Sequence, residues 1–142
     1  MEKIIVKQQF DVSASVLWKV ITEHSLMIQW FFENIPAFEA KEGFSTQFMV
    51  KSDEREFLHL WTITEVISEK KIVYDWNYAD YEGKSFVSFV LEENNFGTQL
   101  TLTHQVVEPF TANIPEFTSE SCRGGWQYFI NDRLKEYIEK NA

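Results

Sequence analysis

The sequence is poor in residues that cross-link a chain or bind metal ions. Cys122 is the single cysteine among 142 residues, so no disulfide can form within the chain and the disulfide-stapled class of small secreted domains is excluded. The three histidines, His24, His59 and His104, show no HExxH pattern and have no second histidine or cysteine at ligand spacing. We therefore expect no metal and no cofactor, and the lone thiol favours a reducing, cytoplasmic location.

Basic residues and long apolar runs are also scarce. The chain has 13 Lys and Arg against 22 Asp and Glu, a net charge of −9, and its densest basic run is Lys70-Lys71. A surface of this charge is repelled by phosphate backbones and by anionic membranes. No run reaches the roughly 18 apolar residues of a membrane span, and the N-terminus lacks the apolar stretch of a signal peptide. We expect no nucleic-acid partner and no membrane partner.

Glycine and proline, at 5 and 3 residues, are too few to form a linker, and no repeat or low-complexity segment is visible. A chain of this length fits one domain with one core. The sequence therefore predicts a single domain over residues 1–142. An edge strand could pair two copies, so both a monomer and a homodimer stay open.

The spacing of apolar residues divides the chain into strands and helices. Ile4, Val6 and Phe10 alternate with polar residues, which predicts a half-buried strand, and Ser13 can cap the first of two short helices that follow. From residue 38 to residue 107 the pattern alternates between turns that contain glycine or asparagine, which is typical of antiparallel hairpins. The alternating sets are Phe44, Phe48 and Val50; His59, Trp61 and Ile63; Ile72, Tyr74 and Trp76; Val87, Phe89 and Leu91; and Leu100, Leu102 and Val106.

The last predicted element is a long amphipathic helix. Its apolar residues recur at three- and four-residue steps from Trp126 to Ile138. The pair Gly124-Gly125 near its start costs helix stability, which indicates close backbone packing or a bend. The predicted order is one strand, two helices, a run of strands and a final helix. This order predicts an α+β fold, a curved antiparallel sheet wrapped around the C-terminal helix. Such a fold leaves space for a ligand between sheet and helix.

Aromatic residues are the abundant class: 13 Phe, 5 Trp and 5 Tyr supply more flat apolar surface than a small core requires. Two interpretations stay open, a core packed with rings and a cavity lined by rings. The candidate ligand-binding residues are Trp30, Phe31, Phe48, His59, Trp61, Trp76, His104, Trp126, Phe129 and Ile130.

Three polar residues have both a structural and a functional interpretation. His104 shares a strand face with Leu100 and Leu102, so it is either a hydrogen-bonded core histidine or a polar group that orients a ligand. His59 could reach the cavity as a general base, although no acidic residue is placed to orient it. Cys122 is expected to be a buried, inert thiol, with nucleophile as the alternative.

Several stretches resemble one known superfamily in their order along the chain. They are Val16-Leu17-Trp18 with Ile21-Thr22-Glu23, Trp30-Phe31, Glu65-Val66 with Ile72-Val73-Tyr74-Asp75-Trp76, Gly97-Thr98-Gln99-Leu100-Thr101-Leu102-Thr103-His104, and Gly125-Trp126. This order resembles the START-like (SRPBCC, polyketide-cyclase-like) superfamily with its helix-grip fold. Within it, the chain looks most like the homologues of the activator of the heat-shock-protein-90 ATPase.

The resemblance implies a cavity under the C-terminal helix. Many members carry a glycine before the Glu-Val pair, where this chain has Trp61, so a ring is expected to narrow the cavity. We expect non-enzymatic binding of a small hydrophobic molecule. Two alternatives stay open: a protein-interaction or co-chaperone-like module whose partner is a chaperone or other protein, and a small enzyme of cyclase or hydrolase type, because fold does not fix function.

Overall fold

The computed structural model of the protein describes residues 3–141. In chain order its elements are β1 (Lys3–Phe10), α1 (Ala14–Thr22), α2 (His24–Trp30), β2 (Ser45–Ser52), β3 (Arg55–Ile67), β4 (Lys71–Tyr78), β5 (Lys84–Asn94), β6 (Gly97–Glu108), a 3-10 helix (Pro115–Phe117), α3 (Ser119–Gln127), a π-helical segment (Tyr128–Leu134) and α4 (Lys135–Asn141). The last three are continuous and are called the C-terminal helix below.

The six strands form one antiparallel sheet in the order β1-β6-β5-β4-β3-β2. Strands β2 to β6 pair as successive hairpins, and β1 pairs with β6, where Ile4 lies opposite His104. The sheet is curved and carries the long C-terminal helix, which confirms the predicted α+β, helix-grip fold. Within residues 3–141, no helix combines the length and the apolar character needed to cross a bilayer.

The predicted alternation of apolar residues places one face of each strand in the core. On β5, for example, Val87, Phe89 and Leu91 are buried while the residues between them are partly exposed. The regular two-residue period breaks once on β3, where the register with β4 shifts between Ile63 and Glu65. Such a bulge bends the strand, which fits the curvature of the sheet.

Local chemistry fixes the ends of several elements. The Ser13 hydroxyl accepts a hydrogen bond of 3.2 Å from the Val16 N–H, so the predicted cap of α1 is confirmed. Gly97 begins β6 with φ +124°, a conformation that side chains disfavour, and a Cβ there would collide with the Phe10 carbonyl oxygen. The β5–β6 turn therefore depends on glycine at this position.

The C-terminal helix differs from its prediction at its beginning. It starts at Ser119, where the Thr118 hydroxyl accepts a hydrogen bond from the Ser121 N–H, so Gly124 and Gly125 lie inside α3 and not at its start. Close backbone packing is the wrong explanation for them, because a Cβ added at either position meets no atom within 4 Å. The π-helical segment begins three residues after Gly125.

The core lies between the inner face of the sheet and the helices. Rings dominate it: Trp30 stacks on Phe31 with ring centroids 4.7 Å apart, and Phe31 in turn lies 5.6 Å from Trp61. Trp61, on β3, contacts Tyr74 on the neighbouring strand β4, with ring centroids 5.0 Å apart. This stack fills the middle of the space between sheet and helix, so any cavity must lie at one end.

Candidate functional site

A cavity of about 130 Å³ remains between β3, β4, β6 and the C-terminal helix. Four rings of phenylalanine and tryptophan form most of its wall, and the chain segment before the C-terminal helix borders its mouth. Its lining residues are Phe32, His59, Trp76, Tyr78, His104, Glu116, Cys122, Gly125, Trp126 and Phe129.

The structure divides the ten predicted ligand-binding residues into two equal groups. Five of them line the cavity: His59, Trp76, His104, Trp126 and Phe129. The other five are buried in the adjoining core and do not border the cavity: Trp30, Phe31, Phe48, Trp61 and Ile130. The second group therefore supports the walls of the site from behind.

Trp61 lies behind the cavity wall and packs against the lining residue Trp76. Its ring lies 4.8 Å from that of Phe48 and 5.0 Å from that of Trp76, and only 1% of the residue is exposed. Its indole nitrogen is buried without a hydrogen-bond partner among the described residues. A donor left unpaired in this way costs stability.

Both ring nitrogens of His104 are hydrogen-bonded to other residues of the protein. The indole N–H of Trp126 donates to Nδ1 over 3.0 Å, and the Cys122 sulfur lies 3.3 Å from the same nitrogen. Because Nδ1 accepts, Nε2 carries the proton and donates to the Ser85 hydroxyl over 2.8 Å, and that hydroxyl donates to the Trp76 carbonyl. Burial lowers the pKa of His104 to about 4, so the ring is neutral at pH 7.

His59 has one ring nitrogen left for a ligand. Nδ1 lies 3.0 Å from the carbonyl oxygen of Phe57 and must donate to it, since a carbonyl only accepts. In the neutral ring Nε2 then has a lone pair, and no described residue donates a hydrogen bond to it. Burial lowers the pKa of His59 to about 4, although the bond to Phe57 opposes this, so the neutral form prevails at pH 7.

Tyr78 places a hydroxyl group on the same wall. Its oxygen accepts a hydrogen bond of 2.9 Å from the indole N–H of Trp76, and no acceptor for its own proton lies among the described residues. Burial raises the pKa of Tyr78 far above its ordinary value, so the group stays protonated. The cavity thus contains a hydroxyl donor and, at His59, a nitrogen acceptor.

The 3-10 helix covers the mouth of the cavity. Phe117 stacks on Tyr78 with centroids 4.9 Å apart and also contacts Phe57, at 5.3 Å. The neighbouring carboxylate of Glu116 lies 3.4 Å from the Arg55 guanidinium on β3. Burial acts to raise the pKa of Glu116, but hydrogen bonds from Ser52 and Arg55 hold it below its ordinary value, so the mouth carries a negative charge at neutral pH.

Five lining residues were absent from the predicted set: Phe32, Tyr78, Glu116, Cys122 and Gly125. Tyr78 had a usable signal, because it extends the alternation of Tyr74 and Trp76 by one more step. Cys122 is predicted as a buried, inert thiol or, alternatively, a nucleophile, and not as a cavity-lining residue; the structure leaves it partly exposed. For Phe32 and Glu116, which lie outside helix α2 and the strands, no periodicity existed to indicate direction.

Larger depressions lie elsewhere on the surface. Two have volumes of about 360 Å³, lined by the segment from Val106 to Thr118, and about 600 Å³, lined mainly by the β3–β4 turn at residues 67–71 and the end of β5. A third, of about 210 Å³, lies between α1, α2 and α4. Most of their lining side chains are exposed or partly exposed. Among residues 3–141, no group of three or more His, Cys, Asp or Glu side chains is arranged to hold a metal ion. The 130 Å³ cavity is therefore the candidate site, because buried polar groups converge there.

Comparison with known proteins gives matches at the level of fold and family. Protein MLL2253 from Mesorhizobium loti superposes with a TM-score of 0.79 at 20% identity, over 99% of both chains. CV1439 from Chromobacterium violaceum gives 0.79 at 14% identity, over 98% of this chain and 99% of the other. DynU16, encoded in the dynemicin biosynthetic locus, gives 0.76 at 18% identity over 98% of this chain and 48% of its own. A search of curated proteins gave no match.

A family model also matches almost the whole chain. Residues 11–139 fit the model described as "Activator of Hsp90 ATPase homolog 1-like protein". This range includes every residue that lines the cavity. The chain therefore belongs to the family of activator of Hsp90 ATPase homolog 1-like proteins, within the START-like (SRPBCC) group that its sequence resembles.

Proposed function

We propose that the protein reversibly binds a small, flat, uncharged molecule in the cavity between the sheet and the C-terminal helix, without catalysing a reaction. One observation carries this proposal: a cavity with aromatic walls is lined by the buried residue His59, and no described residue donates a hydrogen bond to its Nε2. A polar atom at a cavity wall that makes no hydrogen bond to the protein is available to a ligand or to solvent.

The volume of the cavity matches about one ring. An apolar cavity of about 150 Å³ binds benzene in another protein, and the volume here is about 130 Å³. A ring that buries about 150 Å² gains roughly 4 kcal/mol, which corresponds to a dissociation constant of about 1 mM before polar contacts are added. A long lipid or a multi-ring molecule would extend beyond the cavity into solvent.

Charge further restricts the ligand. Both cavity histidines are neutral at pH 7, the Glu116 carboxylate lies at the mouth, and the net charge of the chain is −9. No cation lines the cavity among the described residues, since Arg55 pairs with Glu116 from outside the lining. An anionic ligand would lose its hydration with no compensating charge, so uncharged molecules are favoured.

The other candidate functions have less support. The protein-interaction alternative rests on the family description alone. The likeness to DynU16, at 18% identity, extends to the fold, so it supplies no substrate. The proposal includes a cytoplasmic location, because a chain with one cysteine suits a reducing compartment.

Toluene tests the proposal as a probe of ring size. We expect saturable NMR shift changes at the indole N–H of Trp76 and Trp126 and at the Gly125 amide, with a dissociation constant of about 1 mM. Replacing Gly125 by Leu puts a side chain at the cavity lining and should abolish binding. The matched control is Gly124→Leu, which adds the same side chain next door, outside the lining, and should leave binding intact. Non-saturable shifts, or equal effects of the two variants, would overturn the proposal.

A further inference from the structure

We infer that the cavity selects an uncharged ring that carries a hydroxyl group, of the phenol or enol class, and that His59 and Tyr78 together bind its oxygen. The inference rests on the proposed function and specifies its ligand. It follows from the hydrogen-bonding capacity that the cavity wall leaves unused and from the position of the two side chains relative to each other.

His59 sets the first requirement, a hydrogen-bond donor on the ligand. Its Nδ1 proton is committed to the Phe57 carbonyl, so Nε2 can only accept while the ring is neutral. The residue is 5% exposed and lines the cavity. A ligand without a donor would displace water from this nitrogen and leave it unpaired, which lowers its affinity relative to a ligand that carries a donor.

Tyr78 sets the second requirement, a hydrogen-bond acceptor. Its oxygen already accepts from Trp76, and its own proton has no acceptor among the described residues. The hydroxyl group is therefore available as a donor to a ligand. Because burial keeps it protonated, this donor persists at neutral and mildly alkaline pH.

The two groups are close enough to share one ligand atom. His59 and Tyr78 are directly opposite each other on β3 and β4, and their ring centroids lie 4.8 Å apart in an edge-to-face arrangement. A hydroxyl oxygen donates one hydrogen bond and accepts others, so a single ligand hydroxyl satisfies both residues. An ether or ketone satisfies only Tyr78. A phenolate or carboxylate satisfies Tyr78 alone and brings a negative charge towards Glu116.

His104, in contrast to His59, has a structural role. Both of its ring nitrogens are hydrogen-bonded within the protein, to Trp126 and to Ser85. It lines the same cavity and is as deeply buried as His59, at 3% exposed. Of the two histidines, only His59 offers a lone pair to a ligand without breaking a bond that the fold already makes.

Phenol and toluene test the inference, because they differ by a hydroxyl in place of a methyl group of nearly the same size. We expect wild-type protein to bind phenol at least as tightly as toluene, although phenol is more strongly hydrated and costs more to remove from water. His59→Phe removes the acceptor, and the ratio of phenol to toluene affinity should fall about tenfold or more. His59→Gln keeps an acceptor near the position of Nε2 and should retain most of the ratio. Dissociation constants come from NMR titration of each variant.

The outcomes separate this inference from the proposed function. If wild-type protein binds toluene more tightly than phenol, or if His59→Phe leaves the affinity ratio unchanged, the hydroxyl inference is wrong and the proposed function stands. If neither probe binds wild-type protein, both are wrong. If His59→Phe does not fold, Tyr78→Phe decides in its place: it removes the donor and should lower the same ratio, and an unchanged ratio overturns the inference.

Discussion

The indole N–H of Trp126 lies 3.0 Å from Nδ1 of His104, so a hydrogen bond joins the C-terminal helix to strand β6 inside the cavity wall. The bond decides which nitrogen of His104 carries the proton, and the proton on Nε2 then reaches Ser85. Helix, central sheet and cavity lining are thereby fixed to one another, since Ser85 in turn donates to the main chain of β4 at Trp76.

Removing this bond should weaken the whole fold. We expect Trp126→Phe to lower the free energy of unfolding by about 1–3 kcal/mol through the lost hydrogen bond, with a further loss from the smaller ring. Urea denaturation of Trp126→Phe, His104→Phe and the double variant gives the coupling between the two residues. A coupling of about 0.5–3 kcal/mol is expected for residues in contact. Strictly additive effects would show that the hydrogen bond contributes nothing.

Two buried tryptophans should respond differently to the same substitution. The Trp30 N–H donates to the Val20 carbonyl over 2.9 Å, whereas the Trp61 N–H has no partner among the described residues. Trp30→Phe therefore loses a hydrogen bond, while Trp61→Phe removes an unpaired donor. We expect Trp30→Phe to cost about 1–3 kcal/mol more than Trp61→Phe in urea denaturation. Equal costs would mean that the Trp61 nitrogen is satisfied in solution.

Stability should fall as the pH drops below 7. Burial lowers the pKa of His59 and His104 to about 4, whereas a histidine in the unfolded chain titrates near 6.5. Between these values the unfolded state binds protons that the folded state does not, so the stabilisation present above pH 6.5 is lost progressively down to pH 4. From pH 7 to pH 5 we expect a loss of about 2 kcal/mol per histidine.

The His59→Phe variant provides the control for this pH effect. It retains only the His104 contribution, so about half of the difference between pH 7 and pH 5 should remain when urea midpoints are compared. If the wild-type protein and this variant show the same pH dependence, His59 titrates normally and is not desolvated in the way that its position indicates.

Replacing either glycine of α3 by alanine should stabilise the protein. A Cβ at Gly124 or Gly125 meets no atom within 4 Å, so the substitution gains helix propensity without a clash. We expect each variant to gain about 0.5–1 kcal/mol, measured by thermal or urea unfolding. A loss of stability at either position would restore the explanation from close packing that the structure has replaced.

The sequence predicted the structure well wherever apolar residues recur with a short period. Alternation on β5, through Val87, Phe89 and Leu91, determines which face is buried, and Gly97 indicates the turn that follows. These signals are local, because a strand exposes alternate residues to opposite faces whatever its partner is. The fold class, the strand order as a run of hairpins and the ring-rich interior could all be predicted in this way.

The cavity itself could not be predicted to the same extent. Whether Trp61 packs in the core or lines the cavity depends on how its ring packs against Phe48 and Trp76. The periodicity of a sequence carries no information about side-chain rotamers. The mouth depends on Phe117, which lies in a short 3-10 helix within an irregular segment. The functional difference between His59 and His104 depends on hydrogen-bond partners from distant strands and from the C-terminal helix, which only the tertiary structure brings together.

The most direct test of the central claim is a measurement of intermolecular NOEs from toluene to isotope-labelled protein. Binding in the cavity predicts NOEs from the toluene protons to the rings of Trp76, Trp126 and Phe129. NOEs to Ile114 or Thr111, in the 360 Å³ surface depression, or no NOEs at a saturating toluene concentration, would contradict the assignment of this cavity as the binding site.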